Sequence, residues 1–357
     1  MVCCTHNGGD KLIGLLSALE NLRQNSGIKV EFIFVVDGSI DGSVELLEAF
    51  KITHSNLNIL IIRNVINRGL SESRNIGIAR AKGDYVAFLD DDCRPSASWL
   101  DNLNELWGKA SNEITGIGGY VYSTTPRSLN QTFCEAIEPV CPVLLRTNGS
   151  GIVFRLRNYY SQISHSGGPA EYLAGANMSF RKEALLAVDC FLSSMHFGGD
   201  DEYICSRLRA RYGNECLLIS MSLPMHHEYS LRFFDSLRRS FSYGRGAARN
   251  YLEGIAGVSL NPGPVIALLL SSLSSLLALG LQASALDLEM GGNFAIAALM
   301  ITLSYSLFVG SWKFRNQSHL MRAIGVGFGY LLCESANVLG FISYWLMRVF
   351  RRSGGFK

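Results

Sequence analysis

The chain has 357 residues, 48% hydrophobic and 17% charged, with a formal net charge of +2. Soluble globular chains carry about 25% charge, so the deficit points to membrane segments. A nearly neutral chain with no basic, base-reading face excludes nucleic acid as a partner.

Residues 1–115 alternate apolar runs with helical patterns. VEFIFVVDG (30–38), NILIIR (58–63) and DYVAFLDDD (84–92) read as strands. KLIGLLSALENLRQ (11–24), SVELLEAFKI (43–52) and SESRNIGIARA (71–81) read as helices. That alternation predicts βαβ units and a largely parallel sheet with right-handed crossovers. Residues 116–230 are interrupted by GIGGY (116–120) and HSGGPAEYLAGANMSF (165–180), and predict an antiparallel, loop-rich half added to the first sheet. DDEYICSRLRARYG (200–213) predicts a helix ended by Gly213. Residues 231–260 open on a basic, aromatic stretch with helical spacing, which predicts an interfacial helix lying on a membrane; an ordinary helix packed on the catalytic domain fits the same pattern.

From 261 the class of sequence changes. The runs 264–286 and 294–312 carry no charge, and 323–347 carries only Glu334. Each is long enough for a transmembrane helix, which needs about 20 apolar residues. Lys313, Arg315 and Arg322 in one loop, and Arg348, Arg351, Arg352 and Lys357 in the tail, both ask for the cytoplasmic side. Three full spans cannot satisfy both: either the tail ends outside, or one segment is re-entrant or interfacial, with Glu334 and Asn337 making the last run the suspect. The expectation is a multi-pass protein of the cell (inner) membrane, with its catalytic domain on the cytoplasmic face and membrane lipid as a partner. The nine cysteines form no C-x-x-C pair and read as reduced thiols. The N-terminus has no secretion signal, so the N-x-S/T triplets at Asn130, Asn148, Asn177 and Asn316 read as chance matches.

The strongest chemical signal is FLDDDCRP (88–95), an apolar strand ending in Asp90, Asp91 and Asp92. Strand ends facing a crevice of an open α/β sheet are where ligands bind, and carboxylates with diphosphate oxygens are the usual shell of Mg²⁺ or Mn²⁺. A solvated acidic loop, with Asp92 or Ser96 capping a helix near Trp99, fits the same residues. Asp37 ends an earlier strand in VVDGSIDGS, which reads alternatively as a plain turn capped by Asp41 or Ser43. Arg68 and Arg74 bracket a helix start, where anions are favoured and an arginine fork suits phosphate.

Taken in order, CCTHNGGDKL, VVDGSIDGS and NRGLSESRNIGIARAKGDYVAFLDDDCRP, followed by AGANMSFRKEAL (174–185) and GGDDEYICSRL (198–208), resemble the family-2 glycosyltransferases of GT-A fold. The resemblance covers roughly residues 1–230. It implies an α/β fold: a Rossmann-like nucleotide-sugar-binding domain with a mixed sheet, its nucleotide half at 1–115 and its acceptor half at 116–230. C-terminal transmembrane helices at 261–357 would follow. It implies roles as well. Thr5 lies where the family binds the base, Asp37 matches an acid contacting uracil, and Asn7, Ser39, Arg68, Arg74 and Asp91 fall on the donor side. Asp90 and Asp92 match the metal-binding D-x-D pattern, Asp201 the general base of inverting members, and Arg207 an arginine after that motif. His227, or His226 beside it, lies where a histidine approaches metal or diphosphate; a structural turn fits these two equally. The sequence departs from the pattern at Val36, where an acid is common, at Asp200, where Glu is usual, and at Tyr203, where an acid is frequent.

The implied function is transfer of a sugar from a nucleotide sugar, a UDP-sugar foremost, to a glycan or lipid-linked acceptor, with Mn²⁺ or Mg²⁺ as cofactor. The alternatives are transfer to polyprenyl phosphate, a non-catalytic nucleotide-sugar-binding membrane protein, and a transporter, for which three spans are few.

Overall fold

The computed structural model of the protein describes residues 1–22, 28–123, 167–195, 198–229, 232–253, 300 and 320–352. Two compact units result. The first takes in Met1–Thr125 and Glu138–Tyr229, the second Ser230–Gly254 and Val258–Lys357.

In the first unit the chain runs β1 (Val2–Thr5), α1 (Gly9–Glu20), β2 (Glu31–Asp37), α2 (Ser43–Thr53), β3 (Asn58–Asn64), α3 (Leu70–Arg80), β4 (Tyr85–Asp90), β5 (Cys93–Pro95) and α4 (Trp99–Lys109). It continues with β6 (Gly116–Ser123), β7 (Gly168–Pro169), β8 (Met178–Arg181), α5 (Lys182–Ala187), α6 (Asp200–Tyr212) and β9 (Leu217–His227). Nine strands form one sheet in the order β3-β2-β1-β4-β8-β6-β9-β5, with β7 beside β9. β3, β2, β1 and β4 are parallel. The unbroken apolar run of β2 suits a strand covered on both faces. Its Phe32, Phe34 and Val36 belong to the core cluster that also takes in residues of α1, α2 and α4, while Ile33 and Val35 belong to the cluster on the other face, with residues of α3, α5 and α6.

The sheet changes direction next to β4. β8 runs antiparallel to β4 and β6. β6 and β9, however, run parallel, against the antiparallel expectation. A bulge between Gly119 and Val121 breaks their register. Asn177, fully buried, serves that bulge: its Nδ2 donates to Leu223 O at 2.8 Å and Tyr120 O at 3.3 Å, and its Oδ1 accepts from Trp99 Nε1 at 3.0 Å. One of the four N-x-S/T triplets is therefore a core device; the other three lie outside the described residues. Helix α6 ends at Gly213, whose φ of +98° favours glycine.

The second unit contains α7 (Phe233–Leu252) and α8 (Leu320–Arg352). They cross where Gly244 faces Asn337 and Gly340 faces Phe241. A β-carbon on Gly244 would fall 1.7 Å from Asn337 O, and one on Gly340 2.0 Å from Phe241 O. Only glycine permits that approach. The basic, aromatic stretch is thus a helix, as expected. Of the apolar runs, 264–286 and all of 294–312 except Met300 lie outside the described residues, and 323–347 falls within α8. Among the described residues no helix is long and apolar enough to cross a membrane. The seven described cysteines are all free thiols.

Candidate active site

The strand order reverses between β1 and β4, and Thr5 and Asp90 lie at the two carboxyl ends. Crevices at such switch points bind ligands. The chain leaves β4 through Asp90, Asp91 and Asp92 and enters β5, where Cys93 pairs with His227 of β9. The Glu228 N–H donates to Asp92 O at 2.9 Å, pinning the two segments together. This pairing brings the His227 imidazole to the acids: its Nε2 lies 3.0 Å from Asp92 Oδ1. On its other oxygen Asp92 accepts from Lys11 Nζ at 3.0 Å. Burial works to raise the Asp92 pKa, but His227 and Lys11 outweigh it and hold the carboxyl well below its ordinary value.

Its neighbours have different surroundings. Asp91 turns away and accepts a 2.6 Å hydrogen bond from Thr5 Oγ1. Burial, with Asp92 next to it, pushes the Asp91 pKa up to about 6. Asp90 is raised by burial, with Arg74 pulling the other way. Asp90, Asp92 and His227 each offer one ligand atom within 4.8 Å of the others. Two carboxylates and one imidazole are a fitting donor set for Mn²⁺ or Mg²⁺, the imidazole favouring the softer ion.

Asp37, at the end of β2, is 4% exposed. It accepts from the Arg68 N–H at 2.9 Å, the Gly69 N–H at 2.8 Å and Asn64 Nδ2 at 2.8 Å. Gly69 is the N-cap of α3, so the carboxylate sits on a helix N-terminus, where backbone donors and dipole favour an anion. Asn7 and Ser39 knit the loops after β1 and β2. The Asn7 N–H donates to Ser39 Oγ at 2.9 Å, and Asn7 Oδ1 accepts from the Ile40 N–H at 2.9 Å.

Across the crevice, α6 begins with Asp200 and Asp201. Asp201 accepts from the Gly175 N–H at 3.1 Å and the Glu202 N–H at 2.9 Å. Burial, then the neighbouring Asp200 and Glu202, push its pKa up to about 7. A carboxylate poised near neutrality suits a general base. Asp200 instead turns inward to a salt bridge with Arg74.

Several expectations change. Arg74 is 3% exposed and committed to Asp200, Asp90 and the Gly175 carbonyl, so it is not open to phosphate. Its charge persists because Asp200 and Asp90 outweigh the burial that opposes it. Arg68 reaches the site with its backbone N–H while the residue is exposed. Arg207 is exposed and 3.7 Å from Asp189, on the surface rather than at the acids. Thr5 is buried beneath Asp91. His226 points outward, its ring 6.1 Å from that of Tyr122, so His227 is the histidine brought to the acids. Neither Asp92 nor Ser96 caps α4; its N-cap position is Ser98. Asp41 does act as a turn acid, accepting from the Ser43 N–H at 3.1 Å and its Oγ at 2.6 Å.

Three participants carried no local signal. Lys11 belongs to an amphipathic helix pattern. Arg94, paired with Glu228 and lying over Gly14 of α1, sits in a three-residue strand. Gly175 is one glycine among 36. The charge sign of Lys11 and Arg94 was the one available hint, because an acidic cluster needs cations nearby.

The family model for Glycosyl transferase family 2 matches residues 2–187. Glycosyltransferase AglE of Haloferax volcanii is 37% identical over 101 residues, 28% of this chain and 31% of that protein. Chondroitin synthase of Escherichia coli is 27% identical over 244 residues, 64% of this chain and 34% of that one. The chain thus spans about a third of the length of these curated relatives. Among solved structures, a mannosyltransferase from Pyrobaculum calidifontis, in complex with GDP-Man and Mn²⁺, shares the fold. Its TM-score is 0.55 at 16% identity, covering 95% of this chain and 86% of that one.

Proposed function

We propose, from the premise that the chain belongs to glycosyl transferase family 2 and is a glycosyltransferase, that it moves a sugar from a nucleotide sugar onto an acceptor hydroxyl with inversion. A UDP-sugar is the first donor to test. The acceptor class is a membrane-associated or envelope glycan. The observation that carries this reading is the convergence of Asp90, Asp92 and His227 at the switch point, facing a helix start that carries Asp201.

Asp90, Asp92 and His227 are the residues that would hold Mn²⁺ or Mg²⁺, and the ion, when bound, supplies Lewis-acid stabilisation to a departing diphosphate. Asp37, fixed by three neutral donors, presents a rigid acidic edge to the nucleotide. Asp201 takes the proton of the attacking hydroxyl. As the acceptor oxygen bonds to the anomeric carbon, the bond to the diphosphate breaks and its electron pair leaves with the phosphate. One base and one displacement invert the centre, with no covalent enzyme intermediate.

The test is turnover of a panel of UDP- and GDP-sugars with Mn²⁺, followed as released nucleotide and as transferred sugar. GDP-mannose belongs in the panel because the Pyrobaculum protein holds it. Binding without transfer or hydrolysis across the panel would sink the enzyme mechanism and favour a nucleotide-sugar-binding protein. An acid-labile product on polyprenyl phosphate would reassign the acceptor.

The membrane placement, with the catalytic unit on the cytoplasmic face, is likewise proposed. The uncharged sequences 264–286 and 294–312 support it. Release of the full chain from membranes by alkaline carbonate would overturn it.

A further inference from the structure

Arg74 has no place in the chemistry just described, yet it is among the most buried charges of the first unit. Its guanidinium touches three groups from distant parts of the chain. Nη2 donates to Asp90 Oδ1 at 3.1 Å and to Gly175 O at 3.2 Å, and Nη1 donates to Asp200 Oδ2. Phe88 and Phe191 wall it in, with ring centroids 5.9 and 5.5 Å from its Cζ. Gly175 in turn donates its N–H to Asp201 Oδ2 at 3.1 Å. A β-carbon on Gly175 would lie 3.0 Å from Arg74 Nη2 and 3.6 Å from Asp201 Oδ2.

We infer that Arg74 is a positioning residue that locks the metal-ligand end of β4 to the base-bearing start of α6, through Asp90 on one side and Asp200 and Gly175 on the other. The inference rests on the transfer reading above. A planar fork with five donors can satisfy three acceptors at fixed angles; an ammonium of the same charge cannot hold all three in one plane. A network of paired, buried charges has discrete arrangements rather than soft ones, so the spacing of Asp90 and Asp201 is set by one side chain. Arg74 approaches no reacting atom and moves no proton. Asp200 explains its own place in the pattern: it is the anchor by which the guanidinium grips α6, while the Asp201 carboxylate is held by the Gly175 and Glu202 N–H groups.

The experiment uses the full chain and four variants, Arg74→Lys, Gly175→Ala, Asp201→Asn and Arg74→Lys with Asp201→Asn. Mn²⁺ binding is read by electron paramagnetic resonance without donor, and kcat and donor KM are read separately at equal folded fraction. A misplacement of about 1 Å in such a site costs on the order of 100-fold in rate. Arg74→Lys should lose about that factor in kcat and bind Mn²⁺ about tenfold more weakly, with donor KM changed less than threefold. The double variant should be no slower than Asp201→Asn alone, because groups acting as a unit are not additive. Gly175→Ala keeps every charge and should lower kcat about tenfold at unchanged KM. The inference fails if Arg74→Lys keeps kcat and Mn²⁺ affinity within twofold of the parent, or if its effect adds in full to that of Asp201→Asn. Should Arg74→Lys not fold, an unchanged kcat in Gly175→Ala defeats the inference and a lowered one upholds it. A parent chain that turns over no nucleotide sugar defeats the transfer reading instead; the Mn²⁺ titration of Arg74→Lys then still decides this one.

Discussion

The two flanks of β4 hold their acids in opposite ways. On the parallel side, Asp37 is surrounded by neutral donors: two backbone N–H groups at the start of α3 and the Asn64 amide. On the side facing β8 and β9, Asp90, Asp92 and Asp200 are held by the side-chain cations Arg74 and Lys11, with the His227 imidazole beside Asp92. Neutral dipoles fixed by the backbone do not leave and respond weakly to salt. Side-chain cations can be displaced or exchanged. The first arrangement fixes the place of its carboxylate through backbone and amide donors. The second makes a site whose negative charge is kept in check until a stronger cation arrives.

The largest expected effect lies on the charge-held flank. Asp201→Asn removes the proposed base and should lower kcat by about 10²–10⁴-fold, with donor binding by calorimetry largely intact; near-parental turnover would break the assignment. Next comes Asp37→Ala, which strands three donors around a buried hole. It should cost about 2–3 kcal/mol in urea unfolding, and that cost should be the same at low and high salt if the flank is neutral-held.

The pH response is third. Asp201 is pushed up to about 7, and transfer needs its ionised form. kcat should therefore fall about tenfold per pH unit below 7. Stability runs the other way. An acid whose folded pKa exceeds its unfolded value binds more protons when folded, so its contribution is fullest at low pH and is lost as pH rises from about 4 to about 7. Thermal melts at pH 8 should then place Asp201→Asn above the parent, and a lower melting temperature would contradict the burial origin of the shift. The smallest effect belongs to Lys11→Met. It removes a half-exposed cation from Asp92 and should tighten Mn²⁺ binding about twofold, an effect that fades in high salt.

How much of this was legible follows from the same contrast. VVDGSIDGS and FLDDDCRP announced themselves because both the strand period and the acid at its end are local. The α/β alternation and the helices around it were legible for the same reason. The fate of Arg74 was not, because its Asp200 partner lies 126 residues away and an arginine near a helix start reads as an anion site. Asp91 had no readable job until Thr5 was seen beneath it. The parallel pairing of β6 with β9 was missed because alternation marks a strand but not its direction. His227 was found through a resemblance; which of two adjacent histidines faces the acids is decided by its register opposite Cys93.

The 126-residue span of the Arg74–Asp200 contact also bears on how the molecule comes to exist. Contacts that far apart demand loop closure before they return any energy, and so form late. Until α6 arrives, the Arg74 guanidinium lacks one of its two carboxylate partners, and until β9 arrives the acids after β4 lack their histidine. The parallel strands can assemble first, but the corner of Asp90, Asp92 and His227 is completed only when the last strand of the sheet closes. Mn²⁺ binding would then report a finished fold, and an incompletely folded chain would carry the acids without the site.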